Sequence, residues 1–249
     1  AFPNFGEIDP TMIARIIARG ANEADPACGI PLPNQPDQPP ALGSSGAIRA
    51  PSFCAGCPHG RSTQVIDGSR ALAGIGCHSM AMLRDPTRTN SMSHMGGEGV
   101  GWLGQFPFTD EKHVFTNMGD GTYFHSGLMA IRAAVAAKAP ITYKLLHNGF
   151  VSMTGGQAHD GDVSPESMVA QLRAEGVNRI ALVSDEPEKY ASVPLPKGVT
   201  LHPRTAMDQV QQELREIPEV TVLIFDQPCA TERRRLRKRG KWVDPDKRA

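Results

Sequence analysis

Two sets of residues in this chain have types and spacings that can do chemistry. The first is Gly119-Asp120-Gly121, followed by His147-Asn148-Gly149-Phe150. Two glycines let a backbone come close to a phosphate, where a Cβ would obstruct it. A helix beginning at this point adds unpaired N–H groups and a positive dipole end, both suited to a diphosphate. Asp120 supplies one hard carboxylate, and the Asn148 side-chain oxygen is a second ligand for the same cation. Magnesium takes an octahedron of oxygens, with only one or two from protein side chains. Asp120, Asn148, a backbone carbonyl near Phe150 and two diphosphate oxygens make such a set. A bare Gly-Asp-Gly is a common turn; its weight comes from the strand, helix, strand and Asn arranged around it. The chain has no GxxxxGK[ST] phosphate loop and no GxGxxG after a strand, which argues against the two commonest nucleotide sites.

The second set is cysteine. Cys54 and Cys57 form C-x-x-C, Cys77 closes Gly74-Ile75-Gly76-Cys77, and Cys229 stands far downstream. Two close thiols and two distant ones suit either an iron–sulfur cluster or structural zinc, and buried free thiols are the alternative. The fifth cysteine, Cys28, has no partner in this pattern. Five cysteines are few for a disulfide scaffold of this length, and a C-x-x-C in such a chain points to metal or redox chemistry.

These residues need a frame to bring them together. Strand-like stretches at 112–117, 141–146, 179–184 and 220–225 alternate with helix-like stretches at 122–138, 165–175 and 206–216. The alternation predicts an α/β fold, a mostly parallel sheet with helices on both faces and right-handed crossovers. Gly119-Asp120-Gly121 then falls at a strand end opening into a helix, where open α/β sheets bind ligands. A strand–helix–strand unit carries Asn148 to the same edge. Upstream, 8–19 reads as a short helix with Asp9 as N-cap and Pro10 at its first position. Residues 25–51, rich in Pro, Gly, Ser and Asn, read as a linker or a segment draped over another surface. The expected division is 1–50 N-terminal helix and linker, 51–230 globular domain, and 231–249 basic C-terminal linker.

Composition restricts the partners. The chain carries 26 Lys and Arg against 26 Asp and Glu, so its formal net charge is zero, with pI near 7.3. Nothing global favours nucleic acid or a membrane surface. No run of about 18 apolar residues is present, so no transmembrane helix is expected. The N-terminus lacks a basic-then-apolar signal, and a cytoplasmic location is expected. The missing initial Met suggests a piece of a longer chain. The basic run Arg233–Lys241 is read as a linker or docking strip, not a nucleic-acid site.

Residues 52–60 (SFCAGCPHG), 68–80 (GSRALAGIGCHSM), 95–102 (MGGEGVGW), 119–138 (GDGTYFHSGLMAIRAAVAAK) and 152–157 (SMTGGQ) resemble, in order and spacing, the indolepyruvate ferredoxin oxidoreductases. The stretches 184–190 (SDEPEKY) and 229–240 (CATERRRLRKRG) continue the resemblance, which covers roughly 43–240. It implies the diphosphate-binding half of a thiamine-diphosphate fold, within the 2-oxoacid:ferredoxin oxidoreductases. The implied cofactor-binding residues are Gly119, Asp120, Gly121, Thr122, Asn148, Phe150, Thr154 and Gly155, with Asp120 and Asn148 on Mg2+. The resemblance also decides between the metals, implying that Cys54, Cys57, Cys77 and Cys229 hold a [4Fe-4S] cluster. The implied reaction is oxidative decarboxylation of an arylpyruvate such as indolepyruvate to the arylacetyl-CoA, with coenzyme A as co-substrate and ferredoxin as acceptor. The carboxylate that activates thiamine comes in this family from a partner pyrimidine-binding domain, so this chain alone is expected to be inactive.

Other residues carry weaker expectations. His59 and His78 adjoin the cysteine motifs and are candidates to line the active site. His125, one turn into the helix after Gly-Asp-Gly, is a candidate phosphate contact, and Met153 a core or cofactor-ring contact. Glu98 either faces the cofactor or is an ordinary turn carboxylate. His94, His113, His147, His159 and His202 lie in no motif and are read as structural. Two competing readings remain. One is a thiamine-dependent decarboxylase or synthase of non-redox type, in which the cysteines are incidental. The other is a non-catalytic metal- or nucleotide-binding interaction module.

Overall fold

The frame of the site is a seven-stranded sheet, seen in a computed structural model that describes residues 10–34, 51–159, 161 and 163–243. The chain divides into two units, Ala1–Ala50 and Pro51–Ala249. In the first, α1 (Pro10–Ala24) runs past Gly20, five residues beyond the end expected from the apolar pattern. A short turn follows at Pro26–Cys28, where Asp25 Oδ1 accepts from Ala27 N at 2.9 Å. The expected Asp9 cap, most of the Pro-rich stretch (35–50) and the terminus from 244 lie outside the described residues.

In the second unit the elements run α2 (His59–Ser62), β1 (Ala71–Leu72), α3 (Met80–Arg84), β2 (Thr89–Asn90), α4 (Val100–Gln105) and β3 (Val114–Gly119). The helical run α5 follows, made of Asp120–Thr122, a π-helical turn Tyr123–Gly127 and Leu128–Ala137. Then come β4 (Ile141–His147), α6 (Pro165–Ala174), β5 (Arg179–Ser184), β6 (Val199–Pro203), α7 (Met207–Arg215), β7 (Thr221–Asp226) and α8 (Ala230–Lys238). All strand pairs are parallel, in the order β2-β1-β3-β4-β7-β5-β6.

Central strands of a parallel sheet are covered on both faces and read as unbroken apolar runs. That is why β3, β4, β5 and β7 were legible in sequence, and their residues are almost all buried. One face packs Met118, Ile131, Tyr143, Leu145, Met168 and Leu172 into the main core. The other packs Leu146, Val183, Phe225, Met207 and Leu214. Lys144 is wholly buried in β4, its ammonium donating to Gln64 O at 2.7 Å. Ser164 caps α6 in a reciprocal capping box with Ser167, with Pro165 at the first turn.

The structure also departs from the sequence expectations. β1, β2 and β6 carry no apolar run long enough to announce a strand. The stretch expected as a basic linker from 231 is helical over Ala230–Lys238. It is docked rather than loose, because Glu232 is buried and Arg235 donates to Gly155 O at 2.8 Å. Among the described residues no helix is long and apolar enough to cross a membrane.

Strand order fixes where a ligand can enter. From β1 the chain moves outward to β2, whereas from β3 it moves the other way to β4. Loops leaving neighbouring strands in opposite directions open a crevice at their carboxyl ends. The loops at that crevice are 73–79 and 119–122.

Candidate functional site

A cavity of about 420 Å3 occupies this crevice. Ile75, Gly76, Cys77 and His78 line it from the β1 side, and Gly119, Asp120, Gly121 and Thr122 from the β3 side. Asn148, Phe150, Ser152, Met153 and Thr154 close it from the loop after β4. The sequence-expected residues therefore meet at one place, with one exception. Gly155 is exposed and stands off the wall, its carbonyl turned to Arg235 of α8. Thr154 lines the cavity, and its hydroxyl donates to Gln157 Oε1 at 2.7 Å.

Asp120 organises the floor. Its Oδ2 accepts from Asn148 N at 2.9 Å and Gly149 N at 2.8 Å, and its Oδ1 from Gly121 N at 2.9 Å. The carboxylate thus ties the start of α5 to the end of β4. Burial pulls its pKa upward, but His159, His147 and the Asn148 N–H outweigh that and hold it below the ordinary carboxylate range. His159 Nε2 stands 3.4 Å from Oδ1, a charge contact without hydrogen-bond geometry, and its imidazole pKa is raised by Asp120. Asn148 Oδ1 accepts from Phe150 N at 3.0 Å and Ser152 Oγ at 3.2 Å. The Ser152 hydroxyl has a second acceptor, Phe150 O, at 3.3 Å.

These oxygens fit a magnesium-bound diphosphate. Oδ2 accepts two backbone N–H groups and Oδ1 one, so Oδ1 keeps the acceptor capacity for a cation. Asn148 Oδ1 becomes available when Ser152 turns to Phe150 O. Among the described residues Asp120 is the only acid on the cavity wall. One carboxylate and one amide oxygen are what Mg2+ takes from a protein when phosphate supplies the rest. The π-helical turn places Phe124 and His125 on the wall. Such turns often occur at functional sites.

A second cavity, of about 140 Å3, lies alongside. Cys54, Cys57, Cys77 and Cys229 all line it, together with Glu232 and Arg235 of α8. The C-x-x-C is a turn in which Cys57 N donates to Cys54 O at 3.0 Å, with Gly56 at φ +74° where a side chain would be strained. Cys229 is held by its N–H to Asn148 O at 3.2 Å, so the loops after β4 and β7 are joined. Burial pushes the Cys57 and Cys77 thiols up, and the neighbouring sulfurs add to it. Among the described residues no three His, Cys, Asp or Glu side chains are gathered so as to hold a single ion. The thiols surround a cavity instead of meeting at a point.

His59, Cys77, Asn148 and Ser152 line both cavities and form the wall between them. His59 and His78 are buried with rings edge-on at 5.8 Å. Burial holds His59 down to about 4 and, with His59 beside it, His78 to about 3, so both are neutral at pH 7. Glu98 does not reach the cavity; it is fully buried and accepts from Gly96 N at 2.7 Å.

Sequence reading missed His159, which is in no motif but meets Asp120. It also missed the tie at the end of β4. There His147 Nδ1 lies 2.7 Å from Asp226 Oδ1, while Asp226 Oδ2 accepts from Tyr190 Oη at 2.8 Å and pairs with Lys189. Tyr190 and Lys189 end the SDEPEKY stretch, whose role is thus to lock the strand that carries Asn148.

Comparison with known proteins agrees with this geometry. The family model for the thiamine pyrophosphate enzymes' C-terminal TPP-binding domain matches residues 74–221. The indolepyruvate oxidoreductase subunit IorA of Methanothermobacter thermautotrophicus is 25% identical over 80% of this chain and 32% of its own length. That of Archaeoglobus fulgidus is 29% identical over 81% of this chain and 32% of its own. The chain therefore spans about a third of the length of these curated relatives. Among solved structures, a 2-oxoglutarate:ferredoxin oxidoreductase from Magnetococcus marinus superposes with TM-score 0.54 and 19% identity. The superposition covers 82% of this chain and 74% of that one, a likeness of fold.

Proposed function

The chain belongs to the thiamine pyrophosphate enzymes, as their C-terminal TPP-binding domain, and from that premise we propose that it is the cofactor-holding part of a 2-oxoacid:ferredoxin oxidoreductase acting on an arylpyruvate such as indolepyruvate. The observation that carries the reading is the shared wall. A diphosphate-and-cation cavity built on Asp120 and Asn148 adjoins a cavity ringed by four thiols, with His59, Cys77, Asn148 and Ser152 between them. A decarboxylase of non-redox type has no use for the second cavity.

In this reading Asp120 and Asn148 hold Mg2+, and the N-terminus of α5 with Gly119, Gly121 and Thr122 receives the diphosphate. Bound thiamine diphosphate supplies the nucleophile and electron sink for removing CO2 from a 2-oxoacid. Phe124, Phe150 and Met153 give the cavity an apolar side, and neutral His59 and His78 add no charge beside it. Cys54, Cys57, Cys77 and Cys229 are the ligands of a [4Fe-4S] cluster. The family resemblance favours a cluster over zinc for these four thiols. Coenzyme A accepts the acyl group, and ferredoxin takes the electrons. The activating carboxylate belongs to a partner pyrimidine-binding domain, as the family resemblance implies.

The test is the complete enzyme prepared without oxygen and loaded with thiamine diphosphate and Mg2+. Expected are broad iron–sulfur absorbance and ferredoxin reduction that needs both indolepyruvate and coenzyme A. Aldehyde release from an iron-free protein, with no acceptor reduced, would overturn the proposal in favour of a non-redox decarboxylase.

A further inference from the structure

The wall between the two cavities contains a group whose hydrogen bonds have a direction. His59 follows the C-x-x-C-Pro turn at the start of α2, and its ring is buried against His78 and Phe53. Its Nδ1 lies 3.3 Å from the hydroxyl of buried Ser62, one helical turn on. Its Nε2 lies 3.5 Å from Asn148 Nδ2. The backbone under the ring is clamped as well, because Thr63 Oγ1 donates to His59 O at 2.6 Å.

An asparagine amide can sit in either of two orientations, and its neighbours choose between them. With nitrogen towards His59, Asn148 Oδ1 takes the Phe150 N–H and faces the cavity shared with Asp120. In the reverse orientation the NH2 would confront the Phe150 N–H, and the oxygen would turn away from the cation position. His59 favours the first orientation only if Nε2 is the acceptor. In that tautomer the Ser62 hydroxyl, 3.3 Å away, is the acceptor for Nδ1–H.

We propose that His59 is a positioning residue for the cofactor's cation: through the Ser62–His59–Asn148 chain it fixes the Asn148 amide with its oxygen toward the metal. The inference rests on the proposed role of Asn148 as a magnesium ligand. It means that one turn presents both Cys57 to the thiol cavity and, two residues later, the acceptor that orients the cation ligand. Outer partners of this kind commonly change metal affinity by about 10- to 100-fold when removed.

The test uses the complete enzyme and measures Mg2+ affinity by calorimetry at fixed thiamine diphosphate. His59→Phe keeps a ring and removes the acceptor; a tenfold or greater loss of Mg2+ affinity is expected. His59→Gln, whose side-chain oxygen can accept from the same amide, is expected to recover affinity to within a few-fold. Iron–sulfur absorbance should persist in both, since His59 is not a thiol ligand. Unchanged affinity in His59→Phe overturns the proposal, and so does a Gln variant as weak as Phe, which would mark simple space-filling. Should His59→Phe fail to fold, His59→Leu, which likewise lacks the acceptor, carries the test, and an unaltered Mg2+ affinity refutes the proposal. If the unmodified enzyme binds the cofactor without needing Mg2+, the parent reading of Asn148 fails instead.

Discussion

Replacing Asp120 with Asn separates the two tasks assigned to this carboxylate. One task is mechanical: three backbone N–H groups, from Gly121, Asn148 and Gly149, donate to it at 2.8–2.9 Å. An amide oxygen can keep two of these donors, but its NH2 then confronts the third. Loss of one hydrogen bond to a charged acceptor costs about 1.5–3 kcal/mol, which is roughly a 10- to 150-fold change in an equilibrium. If that were the whole role, thiamine diphosphate binding would weaken within this range and still rise normally with Mg2+. The second task is chemical, because among the described residues Asp120 is the only acid on the cavity wall and is the anionic ligand proposed for the ion. Both losses together predict a fall beyond about 150-fold and a flattened dependence on Mg2+. The assay is calorimetric titration of the complete enzyme with cofactor at several Mg2+ concentrations, beside urea unfolding to measure the mechanical part. A loss under tenfold with the Mg2+ dependence intact would falsify the assignment.

Three further outcomes are expected. Cys57→Ser should abolish iron–sulfur absorbance and leave cofactor affinity within a few-fold, since Cys57 borders the thiol cavity and not the cofactor cavity; a normal visible spectrum would refute the ligation. His113 is buried beside Thr142, and burial, with Arg215 nearby, holds it down to about 4, so it is neutral in the folded protein. A depressed folded pKa gives stability that is complete above about 6.5 and lost as pH falls towards 4, here about 3 kcal/mol. His113→Gln should therefore flatten the urea-derived stability profile by about 1.4 kcal/mol per pH unit within that window, and an unchanged slope would contradict the burial argument. Gly156 has φ +84°, and a Cβ there would overlap the Glu232 carboxylate. Gly156→Ala should then lower stability by more than about 1 kcal/mol and disturb cluster loading through α8; a thermal melt and iron content matching the parent protein would rule this out.

Much of the fold was readable from residue order because its signals are local. Apolar runs marked β3, β4, β5 and β7, since strands covered on both faces need apolar side chains throughout. Gly119-Asp120-Gly121 and Asn148 could be paired because one strand–helix–strand unit separates them. β1 and β2 span two residues each and leave no period to detect. The helix α8 looked like a linker because its charge hid its few inward residues, among them buried Glu232. Gly155 was grouped with the cofactor loop by the resemblance, whereas the loop's direction turns its carbonyl to Arg235.

Contacts across the sheet are another matter. Cys77 follows β1 and Cys229 follows β7, and no spacing rule joins them. They share a cavity because the strand order β1-β3-β4-β7 lines up the carboxyl ends of those strands. The meeting of His159 with Asp120, of Asp226 with His147, and of His59 with Asn148 arises in the same way. Residue types and short spacings set which chemistry this chain can perform at Gly119-Asp120-Gly121 and at its cysteines. That the two chemistries share one wall follows from packing, because strand neighbours are chosen by the burial of whole faces and not by distance along the chain.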